Sequence, residues 1–539
     1  MTLKKRLGMI LAIVAVAVGV YGVGKAGITI KQTEEAVEED SLFGHRETLY
    51  LWYTDEALTD YLNSVAVSYS EYQSEVRVVP VYTSGLEYLE TINQAALQTD
   101  EVPDLYIVSN DSLEKAYLGG LASEVQTPEG SPALQDVFPD TAIRAVTYQD
   151  KQIAYPFYFE TSCLLYNKTY LEDWAKAQIE AEADAAAGEE AQEQADNGEV
   201  TTEENTEETT SEEGTDTNES ATDVVAEEIT QETDSEETAS ELDAQVAEKV
   251  QQILPDTIDD ILNFADEYDA PEQVEAVFKW DVSDIFYNYF FVGNYIDVGG
   301  TNGDNADCIH IYNEDAIRCM RVYQNLNQFF SIDTKEISYA GVLQDFLDGK
   351  IVYTVATTDA LKAMEQAKED GTFAYDYEMS MLPNVSEELV SSSLSVTQCL
   401  VVNGYSTKKA MANDFAVYLT EYDTDSLYGR TGKLPVYTSG TTYDNPNAAA
   451  FKAEYENSVP MPKMIETSNF WVELEIAFAK IWDGEDANQD LKALSEKIMA
   501  QVVGEEYTEE YIDVPEETTE EEEVLEEGDM PESDETASE

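Results

Sequence analysis

The stretch Ile153–Lys168, IAYPFYFETSCLLYNK, decides how the rest of the chain is read. Two apolar segments flank a single acid, Glu160, and the second closes on Tyr166-Asn167-Lys168. A strand that leaves one carboxylate beside Phe157, Tyr158 and Phe159 sets a hydrogen-bonding group in an aromatic wall, the composition that holds a polar, hydroxyl-rich ligand. A buried strand with one surface acid fits the same letters.

Upstream, Leu49–Tyr53 reads as a strand. Leu58, Tyr61, Leu62, Val65, Ala66 and Tyr69 recur at helical spacing and predict one buried helix face. Val76–Tyr82 is a second strand, Leu86 to Leu97 a second helix and Asp104–Val108 a third strand. This alternation implies a parallel sheet with right-handed crossovers. Ligands of such sheets collect at the carboxyl ends of the strands. Here those ends carry Tyr53-Thr54-Asp55 and Ser109-Asn110-Asp111.

At 539 residues the chain exceeds one typical core, so two lobes are expected. Hydrophobic residues make up 43% and include 34 Tyr and 17 Phe, enough for a folded body. The net charge of −83, from 112 acids against 29 bases, repels nucleic acid and anionic lipid and excludes both as partners. Much of that charge is local. From Ala175 to about Lys249 the chain has no aromatic residue and no arginine, and a second acidic tract follows Glu505. Such composition buries too little apolar area to offset ordering entropy, so both tracts are expected to be disordered. The first would be an insertion in a surface loop, because the patterned body resumes at Leu254.

The amino terminus, Lys4-Lys5-Arg6 followed by an apolar run from Leu7 to Val23, is a basic region plus hydrophobic segment that predicts export. Its length sits between a signal core and a spanning helix, so an uncleaved anchor and cleavage near Ala15-Val16-Ala17 or Gly22-Val23-Gly24 are both open. Residues 25–47 form a polar tether. Four cysteines in an oxidising compartment allow two disulfides or four buried thiols; Cys308 and Cys319 are close enough in sequence to meet. His45 and His310 are isolated and there is no CxxC, so no metal site or cofactor is expected.

The I-A-Y-P-x-x-x-E…L-x-Y-N-K pattern of Ile153–Lys168 resembles the sugar-binding family of extracellular solute-binding proteins typified by maltose-binding protein. Other segments resemble that family in the same order. Pro255–Asp269 is similar to its "P-x-T-W-x-E" helix start, with Ile258 in place of the aromatic. Phe278–Gly300 is similar to its aromatic second-lobe segment, and Phe346–Leu361 to "F-x-x-G-x-x-A-M-x-x-x-G-x-W", whose tryptophan falls at Asp359. Ser395–Thr420 resembles its return strand and helix, Ser426–Ser439 its "G-x-x-P" turn and Val459–Glu485 its closing helix. The resemblance implies a type II periplasmic-binding-protein-like fold of two α/β lobes, each a mostly parallel sheet flanked by helices, with ligand in the cleft. Lobe 1 would take residues 48–158 and 400–445, lobe 2 residues 163–394 and 451–503, and 504–539 would be a disordered tail. The strands holding Cys163 and Cys399 would lie side by side near the hinge.

The resemblance also implies a site. Trp471 would be a stacking platform and Glu160 the hinge-side acceptor; Tyr53, Asp55, Asn110 and Asp111 would line lobe 1, and Trp280, Asp281 and Tyr287 lobe 2. Thr358 and Asp359 would approach from the loop after the Ile351–Val355 strand. Glu475 stands where some relatives carry a basic residue, leaving the cleft more acidic. Each residue has a plainer reading. Trp471 begins an amphipathic helix, Asp55 and Asp111 are placed as helix caps, and Tyr287 sits in a densely aromatic run.

The implied function is a monomeric, non-enzymatic receptor on the extracellular face of the membrane, passing a carbohydrate to an ABC permease. An acidic cleft also fits a polyamine. A glycoside hydrolase would need opposed carboxylates, and an acidic surface interaction protein would need only its tracts. No D-x-[DN]-x-[DN]-G calcium loop is present.

Overall fold

The computed structural model describes residues 46–98, 102–196, 241–437 and 445–515. The expected signal or anchor, the tether as far as residue 45, and His45 fall outside them; Glu47, expected as the end of the tether, opens the first strand. No helix among the described residues is long and apolar enough to cross a membrane.

The strands of the two main sheets are β1 (Glu47–Tyr53), β2 (Val76–Tyr82), β3 (Leu105–Ser109), β4 (Tyr155–Glu160), β5 (Ser162–Asn167), β6 (Ala276–Phe278), β7 (Ile351–Thr357), β8 (Tyr377–Ser380), β9 (Leu394–Val402), β10 (Leu434–Pro435) and β11 (Val459–Pro460). Lobe 1 holds a seven-stranded sheet in the order β10-β4-β9-β3-β1-β2, with β11 beside β9. β1 runs parallel to β2 and β3, as the βαβ alternation requires, whereas β9 enters antiparallel between β3 and β4. Lobe 2 holds a four-stranded sheet, β8-β5-β7-β6.

Helix α1 (Thr59–Tyr72) buries Tyr61, Leu62, Val65, Ala66 and Tyr69, the residues whose spacing predicted its inward face. α2 (Tyr88–Gln98) follows β2. In lobe 2, α3 (Lys168–Asp196) starts directly from β5 and α4 (Ala360–Glu369) from the end of β7. α5 (Leu427–Thr431) leads into β10, α6 (Ala448–Asn457) precedes β11, and α7 (Phe470–Trp482) closes lobe 2 over a core containing Phe278, Trp280, Phe291, Tyr323 and Trp482.

Three segments among the described residues pass between the two sheets: Thr161 between β4 and β5, residues 381–393 between β8 and β9, and the chain after β11. Buried hydroxyls tie them together. Thr161 Oγ1 donates to the Leu394 carbonyl at 3.0 Å and lies 3.0 Å from Ser393 Oγ. Ser458 Oγ sits 2.7 Å from Ser395 Oγ, and Tyr455 OH 2.7 Å from Thr397 Oγ1. Asn110, fully buried, accepts from the Thr397 amide at 2.9 Å and donates to the Met461 carbonyl at 2.6 Å.

Several expectations change. The Ala175–Lys249 tract is ordered at both ends: α3 runs on to Asp196, and residues 241–253 are helical. Ala175, Val246 and Val250 enter the lobe 2 core, and Lys249 reaches Glu182 at 3.0 Å. Sparse alanine and valine at helical spacing supply an apolar stripe that the overall acidity hides. The tail is likewise packed as far as residue 515. Arg321 donates to the Val514 and Pro515 carbonyls, Tyr312 OH accepts from the Ile512 amide, and Val514 is buried. The chain re-enters lobe 1 at Leu394, before residue 400, and α6 packs against elements of both lobes.

All four cysteines are free. Cys163 and Cys399 sit in different sheets rather than side by side, because it is β4, not β5, that pairs with β9. Cys308 is exposed while Cys319 is buried in the lobe 2 core, and burial pushes the Cys319 thiol up to about 12.

One buried acid makes stability pH-dependent. Glu421, 8% exposed, has an oxygen without a hydrogen-bond partner, and burial pushes its pKa up to about 7. The unfolded chain ionises nearer the ordinary carboxylate value, so stability is full at low pH and falls as pH rises toward about 7. Glu421→Gln is therefore expected to gain on the order of 2–3 kcal/mol relative to wild type between pH 5 and pH 8. Urea midpoints of both proteins at the two pH values check this; a constant difference would mean that Glu421 is already ionised in the fold.

Candidate functional site

The lobes face each other across a cavity of about 540 Å³. Glu160, Val396 and Thr431–Lys433 come from lobe 1; Asp284, Phe286, Tyr287, Tyr339, Thr357–Asp359 and Lys362 come from lobe 2.

Strand register builds the lobe 1 wall. Leu434 pairs with Phe159, and Val396 pairs with Glu160 on the other side of β4. Continuing the first register by one residue sets Lys433 opposite Glu160. Lys433 Nζ lies 3.1 Å from Glu160 Oε1 and 3.3 Å from Asp55 Oδ2. It also lies 5.5 Å from the centroid of the Tyr158 ring. Burial opposes charge on Lys433, but the fields and hydrogen bonds of Glu160 and Asp55 outweigh it and hold the ammonium above its ordinary range. Tyr158, hydrogen-bonded to Asp55, is kept protonated first by burial and then by the two carboxylates.

The lobe 2 wall is aromatic. Asp281, 5% exposed, accepts the Ser283 amide at 2.9 Å and the Tyr339 amide at 2.7 Å. It thereby ties the 3₁₀ turn Ile285–Tyr287 to the helix Tyr339–Leu347, and Tyr287 stacks on Tyr339 with centroids 4.7 Å apart at 23°. Tyr339 OH donates to Asp359 Oδ1 at 3.2 Å, and the Thr357 hydroxyl meets the same oxygen. Burial raises both tyrosine pKa values further above the ordinary phenol value.

The sequence-derived candidates divide. Glu160, Tyr287, Thr358 and Asp359 line the cavity, and Asp55 stands behind Lys433 while capping the turn Glu56–Leu58 through the Ala57 amide. Tyr53 is 2% exposed and bonds Thr59, and Asn110 cross-links the hinge. Asp111 accepts from the Ser109 and Ser112 hydroxyls. Trp280 is fully buried, stacked on Phe278 and bonded to Asn288, so it is core rather than cleft. Asp281 acts through Tyr339. Trp471 packs on Tyr289 at 5.4 Å and, like the exposed Glu475, is outside the cavity lining. Burial, then Asp284 and Asp281, push the Glu475 carboxyl up.

Sequence reasoning missed Lys433, Lys362, Asp284, Phe286 and Tyr339. Lys433 was detectable, because it directly precedes the Leu434-Pro435 pair that follows the Gly432 turn. Tyr339 carried no local signal; Asp281, Asp359 and the Tyr287 ring place it. Lys433 sets a positive charge among the cleft carboxylates. Lys362 adds a second ammonium to the lining, paired to Glu365 at 2.7 Å.

No family model matches the chain, and no curated protein matches it in sequence. Solved structures do. An extracellular solute-binding protein from Staphylococcus aureus in complex with maltose is 17% identical with a TM-score of 0.62, covering 85% of this chain and 98% of that one. A cyclo/maltodextrin-binding protein complexed with maltotetraose is 18% identical with a TM-score of 0.60, covering 85% and 98%. The maltose-binding periplasmic protein of Listeria monocytogenes, in complex with maltose, is 18% identical with a TM-score of 0.59, covering 86% and 100%. The fold is that of the type II periplasmic-binding-protein-like proteins: two α/β lobes with a cleft between them.

Gly432 faces Lys362 of lobe 2 across this cavity. It ends α5 in the left-handed region, φ 76°, and an added Cβ would stand 2.6 Å from Lys362 Cγ across the cleft. Gly432→Ala is expected to cost about 1–2 kcal/mol of stability through backbone strain and to hinder closure on the α4 side. Thermal denaturation with small-angle scattering checks both, and an unchanged melting temperature would contradict the strained φ.

Proposed function

We propose that this chain is the extracellular substrate-binding component of an ABC importer and captures a carbohydrate by lobe closure. The observation that carries the reading is the pairing of the two walls. Stacked Tyr287 and Tyr339 with Phe286 offer flat apolar area to sugar C–H faces, and Glu160, Asp359 and Lys433 offer acceptors and a donor to hydroxyls. Solved structures of the same fold are complexes with maltose and with maltotetraose, which supports the ligand class. A cavity of about 540 Å³ suits a short oligosaccharide segment.

In this reading ligand contacts from both lobes favour the closed form, which docks a permease. Moving that equilibrium from 1:99 to 99:1 takes roughly 5.5 kcal/mol of differential binding. The protein acts as a monomer outside the cell, held near the permease through its amino-terminal segment. Hydrolysis is disfavoured because Glu160 and Asp55 converge on one ammonium instead of opposing each other across a bond.

Calorimetric titration of the full chain with mono-, di- and oligosaccharides tests the proposal. A selective saccharide should bind, and Tyr287→Ala should weaken it about tenfold, roughly 1–2 kcal/mol for one lost stacking face. Trp471→Ala should have a smaller effect, because Trp471 is outside the lining. Absence of binding by every saccharide in a broad panel would remove the carbohydrate assignment.

A further inference from the structure

Two carboxylates beside aromatic rings in a half-buried cleft are the composition that captures an organic ammonium ion. Here that composition is present, but its cation is supplied by the chain itself. Lys433 Nζ sits 3.1 Å from Glu160, 3.3 Å from Asp55 and 5.5 Å from the Tyr158 ring centroid. Gly432 and Leu434 fix its backbone on both sides, the first by its left-handed turn and the second by pairing with Phe159.

We propose that Lys433 is the specificity-determining residue of the cleft: a tethered cation that fills an amine site and leaves a cavity for neutral, hydroxylated ligands. This rests on reading the cavity as the ligand site. Intramolecular attachment gives the ammonium a high effective concentration, so a free amine must displace it and strand it half-buried without its partners. The remaining carboxylate lone pairs then accept hydroxyl donors. Removing the ammonium opens the amine site.

The experiment is calorimetric titration of the full chain with spermidine and, separately, maltotetraose, in about 0.5 M salt to screen the diffuse pull of the −83 net charge. Lys433→Met and Lys433→Gln should each bind spermidine at least tenfold more tightly than wild type, and Lys433→Arg should not. Adding Tyr287→Ala to either variant should remove the gain, which locates it in this cavity. Circular dichroism melts verify folding, and the glutamine variant stands in if the methionine variant does not fold. The proposal is overturned if neither neutral variant gains affinity, or if wild type binds spermidine in a manner that Tyr287→Ala weakens. Maltotetraose reports on the carbohydrate reading separately: an amine gain without saccharide binding to wild type would keep the role of Lys433 and discard the sugar.

Discussion

The buried hydroxyl of Thr161 joins the first crossing between the lobes to the second, through Ser393 and the Leu394 carbonyl. Asn110, bonded to the Thr397 amide and the Met461 carbonyl, adds the third crossing, and Ser458 against Ser395 and Tyr455 against Thr397 add the end of α6. Buried polar groups of this kind are costly unless every partner is in place, so the crossings hold one another in register. Any opening of the cleft must pivot around this knot or break bonds that water cannot replace. The positions of Glu160, one residue before Thr161, and Val396, one before Thr397, follow from it.

The site inherits that rigidity unequally. Its lobe 1 wall is made from strand ends whose places are set by register. Its lobe 2 wall depends on Asp281, a carboxylate that faces inward and meets two backbone amides and a hydroxyl. Charge inside the cleft is nearly balanced by Lys433 and Lys362, in contrast to a surface that carries most of the chain's acids. The long-range field of the protein and the local field of its cleft therefore have different sources.

Much of the architecture was legible because it rests on local periodicity. The opening strands and α1 follow from alternation and from the Leu62–Val65–Tyr69 spacing, and Glu160 stood out as a lone acid among aromatics. Residues whose roles depend on tertiary contacts were not legible. Trp280 looked like a cleft aromatic and is a core residue, because Asn288 satisfies its indole N–H inside lobe 2. Asp281 looked like a ligand contact and is a brace. The acidic tract looked uniformly unstructured because composition averages over Val246 and Val250, two valines four apart that suffice to seat a helix. Tyr339 carried no pattern of its own, and only its contacts with Asp281 and Asp359 in the folded chain bring it to the site.

The meeting of α3 with residues 241–253 has an evolutionary consequence. Lys249 and Glu182 bring the two ends of the acidic insertion together, and neither residue lines the cavity. With its ends held by the helix contact, lengthening the segment between them costs only about 0.6 kcal/mol per doubling in closure entropy. Residues 197–240 are thus a natural graft point. Their length and sequence can drift, or be exchanged for another module, under selection separate from that acting on the cleft.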